Sequence, residues 1–141
     1  MAAAAAYGAP VIVISLRTAT TLVVTDKNGA FRGGAILPGV KLGYGALADG
    51  TSLLPEIAVL PPKKVVGANT VDAMRSGAVF GTAALIDGML ERMEAELGYP
   101  CAAVATGGLA REVIPCCRRR DILVDPDLLL RGLWILYTKN R

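Results

Sequence analysis

The chain has 141 residues, of which 53% are hydrophobic, 19% charged and 5% aromatic, with a net charge of +3 and no histidine. That length supports one domain with a real core, the composition excludes a disordered tail, and the lack of histidine excludes histidine-based acid–base, nucleophile and metal chemistry. Asp26, Lys41, Asp49, Lys63, Asp72 and Asp87 interrupt the apolar runs, and a membrane span needs about twenty uninterrupted residues, so no transmembrane segment is expected.

Ala2 to Ala6 read as the tail of a helix, not as a signal peptide, because no basic n-region or long apolar core accompanies them. Val11 to Ile14 predict a buried strand and Thr20 to Thr25 a second, paired through a tight turn around Arg17 to Ala19. Asp26-Lys27-Asn28-Gly29 predicts a type I′ hairpin, since Asn-Gly accepts its positive φ values, and leads into a third strand from Phe31 to Ile36. Pro38-Gly39 ends this meander, Val40, Leu42, Ala46 and Leu47 predict a short helix, and Thr51 to Gly67, with three prolines, predicts an irregular connection.

Asn69 or Thr70 is the expected N-cap of the longest helix, with Asp72 favoured in its first turn. Helical spacing runs from Val71 to Leu97. The nearly uncharged stretch Ser76 to Gly88 carries three glycines and is expected to be buried all round, while Glu91 to Glu96 should reach water. Gly98 stops this helix, Ala102 to Ala105 form a short buried strand entering Thr106-Gly107-Gly108, and a helix from about Leu109 to Ile114 ends at Pro115. Asp125-Pro126-Asp127 then opens a last helix in the order N-cap acceptor, proline, acid, with Leu129, Leu133, Leu136 and Tyr137 as its apolar stripe. The sum is an α/β domain with a mixed sheet.

So much apolar surface in a short chain predicts an oligomer or a fragment whose surface another domain covers. Cys101, Cys116 and Cys117 form neither a disulfide framework nor a zinc pattern, which fits a reducing cytoplasm. A thiol beside Arg118-Arg119-Arg120 is placed for a lowered pKa, yet buried structural cysteines are the reading adopted, with no catalytic role. That arginine cluster is read as a solvated turn, because aromatics for stacking on nucleic acid are scarce.

Two segments join hydroxyls or glycines to a strand end, where backbone N–H groups can face a phosphate: Leu16 to Thr21, and Thr106-Gly107-Gly108. Gly67-Ala68-Asn69-Thr70 presents similar groups at a helix start, where an ordinary cap is the simpler local reading.

These segments also occur in an order that resembles a known family. Tyr7 to Val13 followed by Thr18-Ala19-Thr20-Thr21, then Gly33 to Gly39, Ala46-Leu47 and Leu53-Leu54-Pro55, is similar to the C-terminal half of a type III pantothenate kinase. The similarity continues through Gly67 to Val71, Met74, Ser76-Gly77, Thr106 to Ala110, Asp127-Leu128, Leu130 and Gly132-Leu133. The resemblance implies an actin-like (ASKHA, ribonuclease H-like) fold, with residues 1–141 as one C-terminal subdomain. It implies a cytoplasmic homodimer that phosphorylates pantothenate with ATP in the first step of coenzyme A biosynthesis, using Mg2+ and K+ or NH4+. It assigns ATP phosphate contact to Thr18, with Gly107 and Gly108 as the nucleotide-side loop, and pantothenate contact to Thr70 beside Asn69.

Two departures accompany it. The family's first half, with its acidic phosphate motif and catalytic aspartate, lies outside these residues, so no catalytic residue is assigned here and activity alone is not expected. Ser15 stands where the family has the aspartate that binds the monovalent cation, and Arg17 stands in place of a glycine. Either the Arg17 guanidinium replaces the lost cation, or the positions have decayed. The expectation is a kinase fragment that works with a separate N-terminal half; a non-catalytic nucleotide-binding or assembly subunit is the alternative.

Overall fold

Alternating side chains along three consecutive strands build the floor of the protein. β1 (Val11–Leu16), β2 (Ala19–Thr25) and β3 (Phe31–Pro38) form an antiparallel meander, to which β4 (Ala102–Thr106) and β5 (Leu123–Val124) add in parallel. The order in the computed structural model, which describes residues 1–140, is β3-β2-β1-β4-β5. The expected mixed sheet is present, and the two-residue β5 is a strand that the sequence pattern did not suggest.

Ile12, Ile14, Leu16, Leu22 and Val24 point to one face of the sheet and bury against a helical layer. That layer comprises α2 (Val40–Gly50), α3 (Thr70–Ser76), a π-helical turn (Gly77–Gly81), α4 (Thr82–Leu97) and α5 (Ala110–Val113). The predicted long helix therefore runs on through a π turn at Gly77 to Gly81. It is not buried all round: Ala78, Val79, Ala83, Ile86 and Leu90 face the core, while Gly77, Gly81 and Ala84 are exposed. Periodicity alone could not tell a two-sided burial from one apolar face bordered by small residues. A Cβ on Gly77 would collide with the Tyr44 hydroxyl of α2, so at this glycine the close neighbour is a side chain instead of a backbone. Gly98, in the left-handed conformation, ends α4 as expected.

The other face carries α1 (Ala2–Tyr7) and α6 (Leu128–Lys139), with Ala3, Val11, Val104 and Leu128 buried between them. Asp125 is not the cap of α6. Its Oδ1 accepts from the Asp127 N–H (3.0 Å), while Oδ2 accepts from the Tyr7 hydroxyl (2.7 Å) and lies 3.2 Å from Arg131. The helix starts two residues later than the Asp-Pro-Asp pattern suggests, because the carboxylate is engaged by tertiary partners. Its apolar stripe is also uncovered: Leu129, Leu133, Leu136 and Tyr137 are exposed, as are Leu130 and Trp134.

The β2–β3 turn differs from the type I′ expectation, since only Gly29 has positive φ and Asn28 does not. The Asp26 carboxylate explains the choice: its Oδ1 accepts from the N–H of Asn28 (2.9 Å) and of Ala30 (3.0 Å), fixing a longer turn with a bulge between Val24 and Thr25.

Arg119 clamps the far end of α4 to the start of β4. It donates to Glu94 (2.9 Å), to Asp121 (2.7 Å) and to the Cys101 carbonyl (2.6 Å), and Glu94 in turn accepts from the Cys101 N–H (2.8 Å). The arginine run is thus partly structural. The cysteines follow burial, not the neighbouring cations: burial, then Asp87 and Cys116, push the Cys117 thiol up to about 12. A thiol reagent at mildly alkaline pH should accordingly modify the half-buried Cys116 in the folded chain and reach Cys117 only after unfolding, as read by mass spectrometry. Equal labelling of both in the native state would contradict this packing.

Candidate functional site

The polar groups converge where the parallel strands β1 and β4 end. β1 passes into β2 through the two-residue turn Arg17-Thr18, closed by the Arg17 N–H donating to the Ala19 carbonyl (3.2 Å). Two glycines hold that turn from opposite sides. The buried Gly39, at the start of α2, donates its N–H to the Thr18 carbonyl (3.0 Å). Gly107 follows β4 with φ +106°, and a Cβ there would lie 2.6 Å from the Leu16 carbonyl carbon and overlap its oxygen. Only a residue without a side chain fits. Thr18 and Gly107 therefore flank one short backbone stretch, at the carboxyl ends of adjacent parallel strands, where α/β sheets bind ligands.

Strand register adds a second set of groups on the α6 side of the sheet. Ser15 is paired with Thr21 across β2 and with Thr106 across β4, so three hydroxyl side chains stand in one row. Thr106 is 5% exposed, and its Oγ1 is buried without a hydrogen-bond partner among the described residues. Arg17 is the one charged residue lining the groove above this row, which has a volume of about 410 Å³. Neutral hydroxyls beside a guanidinium suit an anion; with no carboxylate among these lining residues, they do not suit a monovalent cation.

Gly108 opens on another hollow of about 500 Å³, shared with Lys41 and Tyr44 of α2, Leu109 and Glu112. Glu112 Oε2 is buried and without a partner there, and burial raises the pKa of the Tyr44 hydroxyl. The sequence pattern did not single out Lys41, Tyr44 or Glu112; their only signal is helical spacing that turns them toward the glycine loop.

Asn69 and Thr70 stand apart from this cluster. Asn69 caps α3, its Oδ1 accepting from the Asp72 N–H (2.9 Å) and its Nδ2 donating to the Asp72 carboxylate (2.9 Å). Gly67 lies so close to Ala73 that any Cβ would strike the first turn, and Ser76 fastens α3 to the Val65 carbonyl. Among the described residues no hydrogen bond or common cavity joins Asn69 or Thr70 to Thr18 or Gly107. The structure brings Thr18, Ser15, Arg17, Gly107 and Gly108 together and leaves the helix-start pair separate.

A mixed α/β sheet with a glycine-held turn at its parallel strand ends defines an anion-binding class of domain. Comparison with known proteins makes this particular: the family profile described as type III pantothenate kinase matches residues 1–92. Proteins named type III pantothenate kinase from Roseiflexus castenholzii and Acidiphilium cryptum are each 43% identical, over 100% and 99% of this chain and 55% and 52% of their own lengths. The chain belongs to the type III pantothenate kinase family. It spans about half the length of the curated relatives it matches. A solved Campylobacter jejuni protein, whose name places it in the Baf family of transcriptional activators, matches with a TM-score of 0.60 at 21% identity, covering 99% of this chain and 62% of that one; it supports the fold alone.

Proposed function

We propose that these residues are the C-terminal, actin-like (ASKHA) half of a type III pantothenate kinase, and that ATP-dependent phosphorylation of pantothenate needs a second, N-terminal half to close the cleft. The observation that carries this reading is the Thr18 turn held between Gly39 and Gly107 in a chain of that family. Phosphoryl transfer is mostly positioning and charge neutralisation. In this reading Thr18 and the N–H groups at Gly107 and Gly108 hold the ATP phosphates, and Thr70, on the helix start that Asn69 caps, meets pantothenate. Mg2+ would arrive with the nucleotide, and no residue of this chain is assigned to it. The Ser15 position does not fit K+ or NH4+; Arg17 supplies positive charge there instead. The family's homodimer and cytoplasmic setting are carried over with the same reading, the dimer through the exposed small-residue face of α3 and α4.

The purified chain should phosphorylate pantothenate only when an N-terminal half is supplied, and equally with or without potassium. Arg17→Gly should weaken nucleotide binding about tenfold, the effect of losing one charge-assisted contact. Unchanged affinity in that variant would sink the cation-substitute role. Turnover by the chain alone would refute the split cleft. A folded complex inactive under every condition would favour the second reading, a non-catalytic nucleotide-binding or assembly subunit, to which the Ser15 and Arg17 departures also point.

A further inference from the structure

We propose that the groove between α6 and the outer face of the sheet receives an amphipathic helix from a second polypeptide, the one supplying the length that this chain lacks relative to its family. Its floor is Val13 and Val23, its wall is Leu129, Leu133 and Leu136 of α6, and Met1 stands at one end. Leu133 is 56% exposed and Leu136 45%, large apolar surface that water disfavours.

Three observations select a helix as occupant. The floor strands β1 and β2 are interior strands, paired on both sides, so a docking segment cannot add as a strand and must satisfy its own backbone hydrogen bonds. The neighbouring part of the same face is already covered helix on helix: α1 lies on α6, with Ala2 placed 3.5 Å from where a Gly132 Cβ would stand. The groove begins at that contact, lined by Met1, Ala2 and Ala3, so a helix seated in it continues an interface that exists. Apart from Arg17, every lining residue is uncharged, which calls for an apolar helix face. The source follows from length: this chain covers 55% of the Roseiflexus relative and 52% of the Acidiphilium one. The identity of the partner rests on the split-kinase reading; the groove's need for a helix does not.

The test co-expresses the chain with the portion of the Roseiflexus castenholzii protein that it does not match, and measures complex formation without ATP or pantothenate. The wild-type chain should hold that portion in the soluble fraction as a one-to-one complex by sedimentation. Leu133→Glu and Leu136→Glu should weaken the complex about tenfold or more, whereas Leu130→Glu, outside the groove, should stay within about twofold. Circular dichroism of each variant confirms that the chain still folds. Failure of the wild-type chain to retain the portion, a Leu133→Glu complex as tight as wild type, or a homodimer that Leu133→Glu dissolves, would each overturn the proposal. A tight complex that transfers no phosphate would instead count against the kinase reading and leave the docking site standing.

Discussion

Gly39→Ala should lower stability by about 2–4 kcal/mol, the range of overpacking and backbone displacement at a buried site, and should weaken nucleotide binding with it. The cause is space, because Gly39 has an ordinary extended conformation (φ −65°, ψ 155°). A Cβ there would stand 2.6 Å from the Thr18 carbonyl carbon and overlap the carbonyl oxygens of Arg17 and Thr18. Those atoms belong to the turn itself, so relief comes only by moving the turn or by breaking the Gly39–Thr18 hydrogen bond. For a chain of this length the melting temperature should fall by roughly 10 °C. Gly43→Ala, in the same helix with open space around it, should instead be neutral or stabilise by up to about 1 kcal/mol. Thermal melts of the two variants decide the matter, and a Gly39→Ala melt within a degree or two of wild type would refute it.

Asp125→Ala should cost about 2–4 kcal/mol, because it leaves a buried hydroxyl and a guanidinium without their acceptor. Asp125 is 3% exposed and ties Tyr7 of α1 to Arg131 of α6. The link also carries a pH dependence. The hydrogen bond to Asp125, then burial, hold the Tyr7 hydroxyl above its ordinary 10.0. A raised value means that the folded state keeps the proton more tightly than the unfolded one. Its stabilisation is therefore complete below pH 10 and is lost as pH rises through the raised value. Denaturant titrations across the alkaline range should show this loss in the wild type and not in Tyr7→Phe; parallel pH profiles would exclude it.

Much of the architecture is legible in local sequence because local physics determines it. The β-branched runs of β1 and β2, the Asn69 cap and the Gly98 stop need no tertiary information. What escapes is set by contacts distant in sequence. Asp125 reads as a helix cap until Tyr7 and Arg131 are placed beside it. Asn28-Gly29 reads as a type I′ turn until the Asp26 carboxylate takes the N–H groups of Asn28 and Ala30. The long helix reads as buried all round because its small residues are ambiguous between a core and an open face. At the site, Thr18 and Gly107 are recognisable from sequence, but the fit of Gly39 against the turn and the hydroxyl row Thr21–Ser15–Thr106 exist only once strand register is known.

Tyr7 and its acceptor Asp125 are 118 positions apart, and that separation has a consequence for biosynthesis. At about 5–20 residues per second, the ribosome needs on the order of ten seconds to make α6 after α1 has emerged. During that interval the β1–β2–β3 meander can already pair, since its contacts are local, while Val11 and Val13 lack the helix that will cover them. The nascent chain thus displays an uncovered sheet face before its closing element exists. Translation speed and chaperone supply, more than the stability of the finished fold, should then set how much of this protein reaches its native state.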